Sequence, residues 1–133
     1  MAPRVETEAP APRLHINHRA QAGALVVAVS GEVDSQTAPA LGDALLAASG
    51  NPRLRPCIVD LTAVTFLSAA GLTTLIEATL HARPGEEPRL VVNGTSPVIR
   101  PIEVTGLDEE LKLYHSIDEA VSSPNAPQPR RES

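Results

Sequence analysis

Residues 56–80 read PCIVDLTAVTFLSAAGLTTLIEATL, and this stretch decides the fold. Cys57 to Leu61 is a short apolar run, the signature of a buried strand. A loop is expected through Phe66, followed by a helix that opens at Ser68 to Gly71. Leu72, Leu75, Ile76 and Leu80 recur at the 3.6-residue spacing of one helix face. A strand that feeds a loop and then a helix leaves unpaired backbone N–H groups at the surface. Such a place accommodates an anion, a phosphorylated side chain or a partner's carboxylate. Ala69 and Ala70 precede Gly71, so nothing bulky screens the backbone there. Function is expected at this helix start.

Strands and helices alternate outward from it. Leu14 to His18 alternates with period two and reads as a half-exposed strand, with His15 and His18 on opposite faces. A turn at Gln21 to Gly23 leads to Ala24–Val29, a continuous apolar strand ending at Ser30-Gly31 and covered on both faces. These two strands form a hairpin. A first helix follows, with Asp34 or Thr37 as its cap, Pro39 in its first turn, and Leu41, Ala44, Leu45 and Ala48 as its buried stripe. Gly50-Asn51-Pro52 ends it. Beyond the central strand and helix, Pro84-Gly85 makes a turn and Arg89 to Gly94 a strand. Ser96-Pro97 starts a helix that Pro101 shortens and Gly106 stops, with Val98, Ile99 and Ile102 facing inward. Leu111 to His115 is the last strand, and Ile117 to Val121 a terminal helix. The order β-β-α-β-α-β-α-β-α implies an α/β domain: a mixed sheet with right-handed crossovers and helices packed on it. Tails at 1–13 and 122–133, rich in Pro, Ala, Ser and charge, are expected to be disordered around a single domain at 14–121.

Composition excludes several functions. The 133 residues suffice for one aliphatic core, at 42% hydrophobic. Phe66 and Tyr114 are the only aromatics, so there are no stacking platforms for single-stranded nucleic acid. A formal net charge of -5 repels phosphate backbones, and Arg53, Arg55 and Arg89 are scattered. The lone Cys57 makes no internal disulfide and reads as a small buried hydrophobe. No metal or cofactor site is expected. Without a secretory apolar run or a membrane span, a cytosolic protein is expected. Monomer and homodimer are both compatible with the sequence. Ser68, His81 and Asp60 are the only neighbouring serine, histidine and acid, and His81 lies roughly 15–20 Å along the helix from Ser68 at 1.5 Å per residue. No nucleophile–base pair results, and no enzyme is expected. Asp60 either accepts loop N–H groups or lines a docking surface.

Four pieces in order resemble the STAS family, the sulfate transporter and anti-sigma factor antagonist domain. Ser30-Gly31-Glu32-Val33-Asp34 resembles its Gly-x-[Leu/Val]-Asp. Asp60-Leu61-Thr62-Ala63-Val64-Thr65-Phe66-Leu67 resembles its Asp-Leu-x-x-Val-x-Phe-[Leu/Met/Ile]. Ser68-Ala69-Ala70-Gly71-Leu72 stands where it has Asp-Ser-[Ser/Thr]-Gly-Leu, and Thr105-Gly106-Leu107-Asp108 follows late in the chain. The resemblance implies a bacterial anti-sigma factor antagonist that binds an anti-sigma factor, commonly a serine kinase of the GHKL ATPase type, and frees a sigma factor. It places the partner surface at Asp34, Ser35 and Thr37 and at Thr65, Phe66, Leu67, Ser68, Ala69, Ala70, Gly71 and Leu72. The family's phosphoserine position is Ala69, which has no hydroxyl, so the usual switch is absent from its usual place. Ser68 is either a displaced phosphoacceptor or a helix N-cap; Thr65 and Thr73 are further candidate acceptors. Two alternatives are a soluble STAS accessory subunit of a lipid or anion transport system, and a sensor that binds a nucleotide or other anion at the helix start.

Overall fold

The computed structural model describes residues 13–49, 51, 53–93, 98–106 and 111–123. Strand β1 (Leu14–Gln21) turns back into β2 (Ala24–Val33), and helix α1 (Ala38–Ser49) leads to β3 (Cys57–Leu67). Helix α2 (Ala69–Leu80), strand β4 (Arg89–Val91), helix α3 (Ile99–Val104), strand β5 (Lys112–Tyr114) and helix α4 (Ile117–Ser122) complete the expected order. Among the described residues the sheet has five strands, side by side in chain order. Among these strands the β1–β2 pair is antiparallel and the β2–β3, β3–β4 and β4–β5 pairs are parallel.

The hairpin turn has Ala22 at φ 53° and Gly23 at φ 81°. Two successive positive φ values define the tight two-residue turn whose twist matches the flanking strands. Helix α1 buries Ala38, Leu41, Leu45 and Ala48, the expected stripe, with Ala44 only half-buried. Helix α2 buries Gly71, Leu72 and Leu75, with Ile76 at the margin. Leu80 was expected on that face, but the last turn of α2 overshoots the core and leaves it 67% exposed.

Two of the strands are longer than their sequences suggest. β2 continues past Ser30-Gly31 to Val33, and β3 runs through Thr62–Phe66, which the sequence presents as a loop. Both extensions pair with each other: Ser30 opposite Ala63, Gly31 opposite Val64, Glu32 opposite Phe66 and Val33 opposite Leu67. Register shifts after Ala28 and after Gly31 insert extra residues on β3. The buried positions Leu61, Val64 and Leu67 therefore come three apart instead of two. Gly31, at φ 101°, allows the chain of residue 13 to cross it; a side chain there would meet the Arg13 carbonyl at 1.9 Å. Glu32 N–H donates to that same carbonyl at 2.8 Å.

One core lies between the sheet and α1, α2 and α3, built from residues such as Val27, Leu41, Val59, Leu75, Leu90 and Ile102. A second, smaller cluster on the opposite face joins Ala24, Val26, Ile58 and Val91 to Ala120 of α4. Arg89 holds α4 in place. It is 4% exposed, and its guanidinium donates to the carbonyls of Ala120 and Ser123, the latter at 2.9 Å. A cation at the C-terminal end of a helix satisfies its last carbonyls and its dipole. Ser116 caps the other end, accepting from Glu119 N–H at 3.0 Å.

Val98 and Ile102 face inward as expected, and Gly106 follows α3 at φ 75°. Gly50, Pro52, the strand end at Gly94, the helix start at Ser96-Pro97, and Leu107 and Asp108 lie outside the described residues. So do residues 1–12 and 124–133, whereas Arg13, Ser122 and Ser123 are built into the fold.

Arg89→Met keeps an aliphatic stem and removes the guanidinium. We expect it to destabilise the chain by about 2 kcal/mol, the range for charge-assisted hydrogen bonds, in urea denaturation. It should also selectively increase hydrogen exchange in α4.

Candidate functional site

The two strand extensions deliver two helix starts to the same end of the sheet. Val33 and Leu67 are register partners, so the turn after β2 and the start of α2 emerge side by side. Ser68 N–H donates to the Val33 carbonyl at 2.8 Å and ties them together.

The first turn of α2 then lies directly on the strand ends. A side chain at Gly71 would stand 2.5 Å from Val33 Cγ1 and 2.7 Å from Leu67 Cδ1. Glycine is required here by close approach. Ser68 is the N-cap, with its hydroxyl oxygen accepting from Gly71 N–H at 3.3 Å. Ser68 is half-buried, Ala69 is exposed and Ala70 is half-buried. The N–H groups of Ala69 and Ala70 have no acceptor among the described residues.

The neighbouring turn is held by Asp34. Its Oδ1 accepts from the N–H groups of Gln36 at 2.9 Å and Thr37 at 3.0 Å. Thr37 accepts in return from Asp34 N–H at 2.9 Å and donates its hydroxyl to the Glu32 carbonyl at 2.9 Å. Both candidate cap residues are thus spent in the turn before α1, on N–H groups that precede its start at Ala38. The other Asp34 oxygen takes the Arg13 guanidinium, which also reaches Gln36 at 2.6 Å and Glu32 at 3.5 Å. Partial burial opposes the Asp34 charge, but the N–H groups of Thr37 and Gln36, the Thr37 hydroxyl and Arg13 outweigh it and hold the carboxyl below its ordinary 3.8. A lowered carboxyl contributes stability above the ordinary aspartate range, and this is lost as pH falls through the lowered value.

Phe66 completes the surface. It lies opposite Glu32 in the sheet and is 50% exposed. Thr65 donates to the Gly31 carbonyl at 3.2 Å, and Ser35 is exposed. Leu67 and Leu72 are buried and support the surface from below. The sequence-predicted residues therefore gather at one end of the sheet, in the two turns and their underpinnings. Arg13 and its partner Glu32 were not anticipated. A residue in a proline-rich leader gives no local sign of partners 21 residues away.

Ser68 and His81 sit at opposite ends of α2. Asp60 accepts from the N–H of Thr62 at 3.0 Å and its hydroxyl at 2.7 Å, so its carboxylate fixes the first bulge of β3. His81 is tied by Nδ1 to the Glu77 carbonyl at 2.8 Å. Among the described residues there is no cluster of His, Cys, Asp and Glu that could hold a metal ion. Burial pushes the Cys57 thiol up to about 11, so it stays protonated at neutral pH. No helix among the described residues is long and apolar enough to cross a membrane.

The chain matches the STAS domain family over residues 15–120 and belongs to that family. Among curated proteins it is similar to the anti-sigma-F factor antagonist RsfB of two Mycobacterium tuberculosis strains. The identity is 33% over 102 residues, spanning 75% of this chain and 80% of the relative. Among solved structures it resembles an anti-sigma factor antagonist from Mycobacterium paratuberculosis, with 34% identity and a TM-score of 0.73, covering 82% of this chain and 92% of that one. The unphosphorylated anti-sigma factor antagonist SpoIIAA shares the fold, with a TM-score of 0.54 at 14% identity over 80% of this chain and 93% of that one.

Gly71→Ala should cost about 2 kcal/mol through overpacking against Val33 and Leu67. Ser68→Ala should cost about 1 kcal/mol through loss of the cap. Urea denaturation measures both, and the larger loss is expected at Gly71.

Proposed function

We infer that this chain is an anti-sigma factor antagonist: a bacterial, cytoplasmic protein that binds an anti-sigma factor and so releases a sigma factor. It acts by occupancy and has no chemistry of its own. The partner is a serine kinase of the GHKL ATPase type. The docking surface comprises Asp34, Ser35 and Thr37 from the first turn and Thr65 to Leu72 from the second. The observation that carries this reading is the exposed, uncharged start of α2 beside the half-exposed Phe66. An accessible aromatic with a polar rim is the usual anchor of a protein interface. The two relatives above 30% identity, both described as anti-sigma factor antagonists, support it.

Regulation differs from the family's phosphoserine switch. Ala69 offers no hydroxyl, and the Ser68 oxygen is engaged as the helix cap. A phosphate at this place brings about two negative charges into a surface that must dock closely. Here the surface stays small and neutral, and the chain stays competent to bind.

The test is a pull-down from native cytosol with the unchanged chain and Ala69→Asp as baits. The unchanged chain should retain a GHKL-type kinase, and the variant should lose at least tenfold of it. The variant's melting temperature should shift by less than about 3 °C, because a carboxylate at a helix start is tolerated. Equal retention by both baits contradicts the assigned surface. Capture of a permease or transport ATPase instead makes the chain an accessory subunit of a lipid or anion transport system.

A further inference from the structure

Helices α1 and α2 lie side by side on the sheet and meet at Gly42, where an added Cβ would sit 3.5 Å from Thr74 Cγ2. Along their outer flanks they enclose a groove of about 430 Å³ that runs from Ala38 and Pro39 at the start of α1 to Ser49 and His81 at the helix ends. That volume is in the range of small-molecule sites. Its deeper wall is apolar, supplied by Leu45, Cys57, Ala78 and Pro88. The Cys57 thiol, held protonated by burial, adds no charge to it.

The polar groups of the groove are mostly engaged already. The hydroxyl of Thr74 donates to the Ala70 carbonyl at 3.0 Å, and that of Ser49 to the Leu46 carbonyl at 2.9 Å. Glu86 is paired with Arg55 at 2.9 Å. His81 spends Nδ1 on the Glu77 carbonyl. Two carboxylates remain, Asp43 on α1 and Glu77 on α2, and neither side chain has a hydrogen-bond or ion-pair partner among the described residues. An apolar wall beneath two unneutralised anions from facing helices complements an organic cation.

We propose that the groove between α1 and α2 binds a small organic cation with an apolar body, its hydrocarbon against Leu45, Cys57 and Ala78 and its ammonium at the rim with Asp43 and Glu77. This site is separate from the docking surface at the start of α2 and does not depend on that reading.

The probes are three compounds of one skeleton: 4-phenylbutylamine, 4-phenylbutan-1-ol and 5-phenylpentanoate. Each is titrated into the full ¹⁵N-labelled chain and followed by amide chemical shifts. The amine should saturate with a Kd of about 1 mM or below. Its shifts should concentrate at Gly42, Leu46, Cys57 and Ala78. The alcohol should bind about tenfold more weakly, and the carboxylate more weakly still. Asp43→Asn combined with Glu77→Gln, both exposed and nearly isosteric, should reduce the amine to the affinity of the alcohol. Equal binding of the three probes to the unchanged chain overturns the proposal without recourse to any variant. So do amine shifts centred on Phe66 or scattered over the surface. Sedimentation of the free chain is the remaining arm: a dimer that shifts the groove amides with protein concentration makes a second copy the occupant, and the proposal fails.

Discussion

The first turn of α2 rests on the ends of β2 and β3 with only a glycine's hydrogen between them. Gly71 sits against Val33 and Leu67, and Ser68 N–H reaches the Val33 carbonyl. That contact fixes where α2 begins, how far Phe66 stands out from the sheet, and how near the Asp34 turn comes to it. Everything placed at this end of the molecule is positioned by strands buried on the helix face. The surface is therefore preorganised, which lowers the ordering cost that a partner would otherwise meet on binding.

Most of the fold was legible because its elements obey simple periods. The order of strands and helices, the hairpin and the α1 stripe follow from local pattern. The pairing at Thr62–Phe66 was not legible. Two bulges reset the alternation so that Leu61, Val64 and Leu67 recur every three residues, a period that belongs to neither a regular strand nor a helix face. Thr62 and Thr65 break the apolar run there and strengthened the appearance of a loop. Leu80 failed for a different reason: helical spacing shows which face a residue takes, not where the core beneath it stops.

Long-range partners were the other blind spot. Arg89 looked like one of several scattered cations, yet it is among the most buried polar residues and closes α4 from a strand 31 residues away. Arg13 looked like the end of a leader and instead clasps Asp34 and Gln36. The groove between α1 and α2 escaped notice because neither helix's sequence says which flank will face the other. By contrast, the geometry of the candidate site was largely readable: small residues at a helix start after a buried strand mark an accessible backbone. The sequence alone left Ser68 open as cap or acceptor, and the bond to Gly71 N–H shows it acting as the cap.

On the proposed function, alanine at the helix entrance, where the family resemblance places a phosphoserine, leaves a protein that phosphorylation does not release from its partner. The direct measurement is to form the complex with the cognate anti-sigma kinase, add ATP, and follow intact mass and dissociation together. The mass of this chain should not change, and the complex should persist as it does without ATP. Stoichiometric phosphoserine at Ser68 with release of the partner would contradict it.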